Sequence, residues 1–141
     1  MARSKNTKLL ANFDCPGGGQ VWVEGTILYI GHMRQPTGTT IVDVADPSHP
    51  KLLARIEMPP GWHSHKVRVA NDIMVVNHER QGQDGDQSFG GGLGIYDVSK
   101  PAEPKLISKW RTHGKACTAT ISTDAMPISR RRSRAMSAIS P

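Results

Sequence analysis

The strongest constraint on this chain is an internal repeat. Ile41-Val42-Asp43-Val44-Ala45-Asp46-Pro47-Ser48-His49-Pro50-Lys51-Leu52 returns as Ile95-Tyr96-Asp97-Val98-Ser99-Lys100-Pro101-Ala102-Glu103-Pro104-Lys105-Leu106. Repetition at a period of about 50 residues makes each copy one supersecondary unit that cannot bury its apolar faces alone. Ile41, Val42 and Val44 are β-branched and favour a pleated strand. Asp46-Pro47 ends that strand, because proline has no N–H for the ladder and fixes φ. Pro50 confines the turn from its far side, and Leu52 to Ile56 resumes an extended run. The second copy does the same with Pro101, Pro104 and Leu106 to Trp110.

A second matching pair lies upstream. Val21-Trp22-Val23-Glu24-Gly25-Thr26-Ile27-Leu28-Tyr29-Ile30 parallels Val67-Arg68-Val69-Ala70-Asn71-Asp72-Ile73-Met74-Val75-Val76. Each is two short apolar runs split by a turn dipeptide, Gly25-Thr26 or Asn71-Asp72, as in a hairpin. One unit is therefore about four strands, the content of a propeller blade. The offset is 46 from Val21 to Val67 and 54 from Ile41 to Ile95, so the second unit carries an insertion of eight residues. Gln81 to Gly92, rich in Gly, Gln and Asp, is the place for it, as a polar loop on one rim.

These residues resemble the LVIVD-repeat family of β-propellers, whose blades carry a strand like Thr40-Ile41-Val42-Asp43-Val44 followed by an Asp-Pro-x-x-Pro turn. The resemblance runs from about Lys8 to Gly114. It implies a closed ring of blades in a chain well over twice this length. The expected fold is all-β, an incomplete β-propeller of about two four-stranded blades within 1–115. Unit one covers about 8–60 and unit two about 61–115. The resemblance implies little about activity, since a propeller hosts binding modules and enzymes alike.

Repetition stops after His113-Gly114-Lys115, where a third hairpin is due. Instead, Ala116 to Ser129 leads into Arg130-Arg131-Arg132-Ser133-Arg134. The change of style points to a slip of reading frame near Lys115 to Cys117. Read one base out of register, Cys117-Thr118 leaves only His or Tyr at the straddling codon, and Met126-Pro127 forces Ala. The slots between admit two apolar runs around Asp-Gly, one repeat after Val67. The alternative is a genuine irregular or disordered basic tail over 116–141. That tail supplies half of the net charge of +6, from four Arg and one Asp. Without interleaved aromatics it offers salt-sensitive phosphate attraction and no case for nucleic-acid binding.

At 141 residues a single domain is expected, and 14 Gly with 10 Pro suit a fold of many turns. No apolar stretch is long enough to cross a bilayer, and Met1 to Asn12 lacks an h-region. A cytoplasmic location without a membrane partner is the expectation. Cys15 and Cys117 have neither disulfide-framework nor metal spacing. Two units also leave faces open. Val21, Val23, Ile27, Tyr29, Val67, Val69, Ile73 and Val75 are expected to be half-covered at best. Leaving such side chains uncovered forfeits on the order of 10 kcal/mol, which argues for marginal stability, aggregation at the open faces and edges, or self-association through the open blade faces.

Chemistry is sought among the histidines. In Gly61-Trp62-His63-Ser64-His65, before the first apolar run of unit two, His63 and His65 point to one side of a strand. His113 sits in the equivalent stretch before a third unit, and Asn77-His78-Glu79 adds a ligand or acid–base pair. In a propeller, first strands line the central channel, so His63, His65, His78 and His113 are the candidate ligands of a transition metal at its mouth. Against this, unit one has Gly19-Gln20 where unit two has His65-Lys66, so the histidines are not repeated. His32 and His49 read as turn or surface residues.

Other motifs carry less. Gly17-Gly18-Gly19 and Gly90-Gly91-Gly92 lack the lysine and context of a phosphate loop. Asp84-Gly85-Asp86 lacks the later Glu of a calcium loop. Ser64 has no nucleophile elbow. Asp43 and Asp97, equivalent in the two copies, are expected to accept backbone hydrogen bonds in the turn. Two function classes remain: a truncated binding or interaction scaffold showing rim loops such as Gln81 to Gly92 to a protein or small-molecule partner, or a fragment of a metal-dependent propeller enzyme whose full-length relative carries a transition metal on the histidines.

Overall fold

The computed structural model describes residues 5–82 and 88–112, and all of their regular structure is strand. The readings placed on Asp84-Gly85-Asp86, on His113, on Cys117 and on 116–141 lie outside the described residues. The strands are β1 (Gly18–Glu24), β2 (Ile27–His32), β3 (Thr37–Asp43), β4 (Lys51–Glu57), β5 (Trp62–His63), β6 (Val67–Ala70), β7 (Ile73–Arg80), β8 (Gly91–Asp97) and β9 (Lys105–Thr112). They form two antiparallel meanders. The first sheet has the order β1-β2-β3-β4, and in the second β5 and β6 both pair with β7, followed by β8 and β9. This is the all-β, incomplete propeller that the repeat implied, with the first strand of the second sheet broken in two. Among the described residues no helix is long and apolar enough to cross a membrane.

The turns form for the reasons the sequence supplies. Asn71 and Asp72 both adopt positive φ (51° and 64°), as a type I′ hairpin turn requires, and Gly25 (φ 60°) does so at the matching place between β1 and β2. Asp43 accepts the N–H of Ala45 and Asp97 that of Ser99, each at 2.8 Å. The Val44 N–H bonds to the Thr26 carbonyl, and the Val98 N–H bonds to that of Asp72, again each at 2.8 Å. Even the irregularities repeat: β3 slips against β4 at Ile41/Val42, and β8 slips against β9 at Ile95/Tyr96. The insertion falls between β7 and β8, as its composition indicated.

The core lies between the two sheets. Tyr29 and Ile41 of the first pack with Val67, Val69, Met74, Val76 and Val98 of the second. Leu53, Ala54 and Ile56 support them from the first sheet. The Arg68 guanidinium lies over the Trp22 ring across the seam, 4.8 Å from its centroid. Two sheets therefore cover each other better than expected. Tyr29, Val67, Val69 and Val75 are fully buried, and only Val21 and Val23 of the apolar hairpin residues stand exposed. The expectation overlooked that one sheet-on-sheet contact completes two faces at once.

Candidate metal centre

The break between β5 and β6 builds the site. Ser64 leaves its own sheet to bridge to the first: the His32 N–H donates to the Ser64 carbonyl at 2.9 Å, and the Ser64 N–H returns to that of His32 at 3.3 Å. The Gln20 N–H donates to the His65 carbonyl at 3.2 Å, and its side-chain Oε1 accepts from the Val67 N–H at 3.2 Å. A similar irregularity marks β1 between Gly18 and Val21. Gly31 allows this approach, because a Cβ there would stand 2.6 Å from the backbone carbon and oxygen of His65. The first sheet thus grips the segment that carries both histidines.

His63 lies opposite Glu79 in the β5–β7 pair, so their side chains share a face. His63 Nε2 is 3.9 Å and His65 Nδ1 is 3.7 Å from the same oxygen, Glu79 Oε2. One donor atom from each residue lies within 4.8 Å of the other two. The two imidazole rings are 5.0 Å apart and tilted by 31°. Asn77 orders the group: its amide donates to Glu79 Oε2 at 3.3 Å while its oxygen accepts the Lys66 N–H at 2.8 Å. His63 is 6% exposed, and its Nδ1 is buried without a hydrogen-bond partner. Burial holds the His65 ring below the usual imidazole pKa, the Glu79 charge opposes this, and His63 and Lys66 add to it. Ligand atoms about 2.1 Å from a tetrahedral metal stand about 3.4 Å from one another, so two of the pairs are already near that spacing.

The structure brings together His63, His65 and Glu79, and sets His78 apart. Adjacent residues of a strand point to opposite faces, so His78 turns away from Glu79. It lies against Gly94, where an added Cβ would be 2.8 Å from the ring, and its centroid is 5.0 Å from that of Phe89. His113 lies outside the described residues. His49 is an exposed turn residue paired with Asp46 at 2.8 Å, as expected. His32 is not a surface residue: it is 2% exposed, at the place in β2 that His78 holds in β7. Alternation puts it on the face of Ile30, away from the seam, where Cys15, Pro16 and Thr40 lie against it. The link from Glu79 to the His-x-His pair was missed: a cross-strand count from the Asn71-Asp72 turn sets His63 opposite Arg80, and the break at Ser64 shifts the register by one residue to bring in Glu79.

The LVIVD repeat family matches residues 18–57 and 88–112. The chain is an LVIVD-repeat protein. The first matched segment contains β1 through β4, and the second contains β8 and β9. The site of this LVIVD-repeat protein therefore lies between its matched segments, on β5, the break and β7. No curated protein matches the chain.

Proposed function

We propose that this LVIVD-repeat protein is a metal-binding scaffold, in which His63, His65 and Glu79 hold one divalent transition metal. The observation that supports this reading is the convergence of two imidazoles and one carboxylate within 4.8 Å, with His63 almost wholly buried. Neutral imidazole suits zinc, copper, iron and nickel, and two histidines with one carboxylate form a donor set used by both zinc and non-haem iron(II). Three protein ligands leave a coordination position for water or a partner's donor atom. Asn77 serves as an outer-sphere group that orients Glu79. The scaffold reading and the metal reading then meet: the sheets fix the ligands, and the metal's free position and the nearby rim loop meet the partner.

The test is a zinc titration of the chelator-stripped full chain by calorimetry. The parent is expected to take up one equivalent. The His63→Ala/His65→Ala variant and Glu79→Gln are expected to lose it with unchanged far-UV circular dichroism, and His78→Ala is expected to keep it. A parent without zinc uptake, or ligand variants that bind as the parent does, would overturn the proposal.

A further inference from the structure

The seam inside the molecule joins unlike surfaces: one face of the first sheet meets the opposite face of the second. Repeat equivalence then identifies what each outer face lacks. Val67 and Val69, which the second sheet gives to the seam, are 1% and 2% exposed, whereas their counterparts Val21 and Val23 in β1 are 58% and 55% exposed. Leu53 and Ile56 of the first sheet pack into the seam, whereas their counterparts Ile107 and Trp110 in β9 are each 55% exposed. On both outer faces the exposed apolar residues are thus counterparts of seam residues, set beside the already buried Ile30 and Val75 that match Val76 and Tyr29.

We propose that a second copy of this chain docks head-to-tail, its Val21–Val23 face against the Ile107–Trp110 face of the first, repeating the internal seam. The occupant is a second copy because each half of the surface descends from the repeat that carries the other half. The pairing across the seam also carries over. Trp22 and Arg68 are equivalent positions and already stack on each other. A repeated seam sets Arg68 of one copy beside Trp22 of the next, the same pair with its roles exchanged. An interface of this kind is heterologous, and it closes into a ring or runs on as a filament according to the rotation per step.

Sedimentation of the full chain across a dilution series tests this. The parent is expected to move from 15.4 kDa toward whole multiples of that mass as concentration rises. Val23→Glu and Trp110→Glu each spoil one half of the interface and leave the other intact. Each alone is expected to stay at 15.4 kDa, and an equal mixture of the two is expected to form a dimer. Val21→Glu and Ile107→Glu repeat the experiment at neighbouring positions, with circular dichroism confirming the fold. A mixture that remains monomeric, or assembly that ignores these substitutions, overturns the proposal. So does a parent that never leaves 15.4 kDa, which assigns the faces to a sheet of some other chain.

Discussion

His32 and His78 hold the same place in the two sheets and meet it with different chemistry. The Pro16 carbonyl, 3.2 Å from His32 Nδ1, can only accept, so that nitrogen carries the proton and Nε2 accepts from the Thr40 hydroxyl at 2.9 Å. In the second sheet Gly94 replaces Thr40, and both ring nitrogens of His78 are buried without a hydrogen-bond partner. Burial, with the Lys109 charge adding to it, lowers the His78 pKa from 6.5 to about 4. The folded state holds this ring neutral, whereas the unfolded chain takes up a proton near the ordinary value. Its contribution is thus complete above pH 6.5 and is lost as pH falls toward about 4. The loss reaches about 3 kcal/mol, because each tenfold drop in proton affinity is worth about 1.4 kcal/mol. Urea unfolding of the chelated protein through this range should show stability falling with acid, and His78→Leu should flatten the slope. Thr40→Val should weaken the first sheet by about 1 kcal/mol, by stranding the His32 acceptor. That loss is expected in the urea midpoint at neutral pH.

At the scale of the strands, much was legible because the determining contacts are local. Asn71-Asp72 dictates its own turn, Asp43 and Asp97 bond two residues along their own chain, and the prolines end strands wherever they stand. What the sequence did not disclose depends on segments far apart in the chain. Alternation gives His32 and His78 a face, but the cover comes from residues distant in the chain, Cys15 and Pro16 for His32 and Phe89 and Gly94 for His78. Glu79 reaches His63 through the register of β5 on β7, and Ser64 breaks that strand by bonding to His32 in a distant segment. Gly31 is the residue on which this long-range contact turns. Its missing side chain faces backbone, which cannot rotate aside. Gly31→Ala should therefore cost about 1–3 kcal/mol by forcing the sheets apart. By moving the His65 main chain it should also weaken zinc uptake, whereas an equally destabilising change far from the break should leave that uptake alone. Thermal melts and the calorimetric titration, run on both variants, separate the two effects.

For the molecule as a whole, the position of the core decides how it unfolds. The main buried apolar cluster is shared between the sheets, with Ile41 and Tyr29 packed against Val67, Val69 and Val76 across the seam. A loss on either side is therefore felt on both. Ile41 is wholly buried, and truncating such a side chain to alanine costs about 2–5 kcal/mol, a large share of the roughly 5–15 kcal/mol that keeps a typical domain folded. The sheets should accordingly melt as one unit and not in turn. Single-tryptophan variants provide the test, since Trp22 reports from the first sheet and Trp62 from the second. Ile41→Ala lies in the first sheet alone, yet it should shift the urea midpoints of both tryptophans by the same amount. If Trp62 kept its midpoint while that of Trp22 moved, each sheet would have to carry its own stability. The seam would then be a contact between finished units and not the core that makes them.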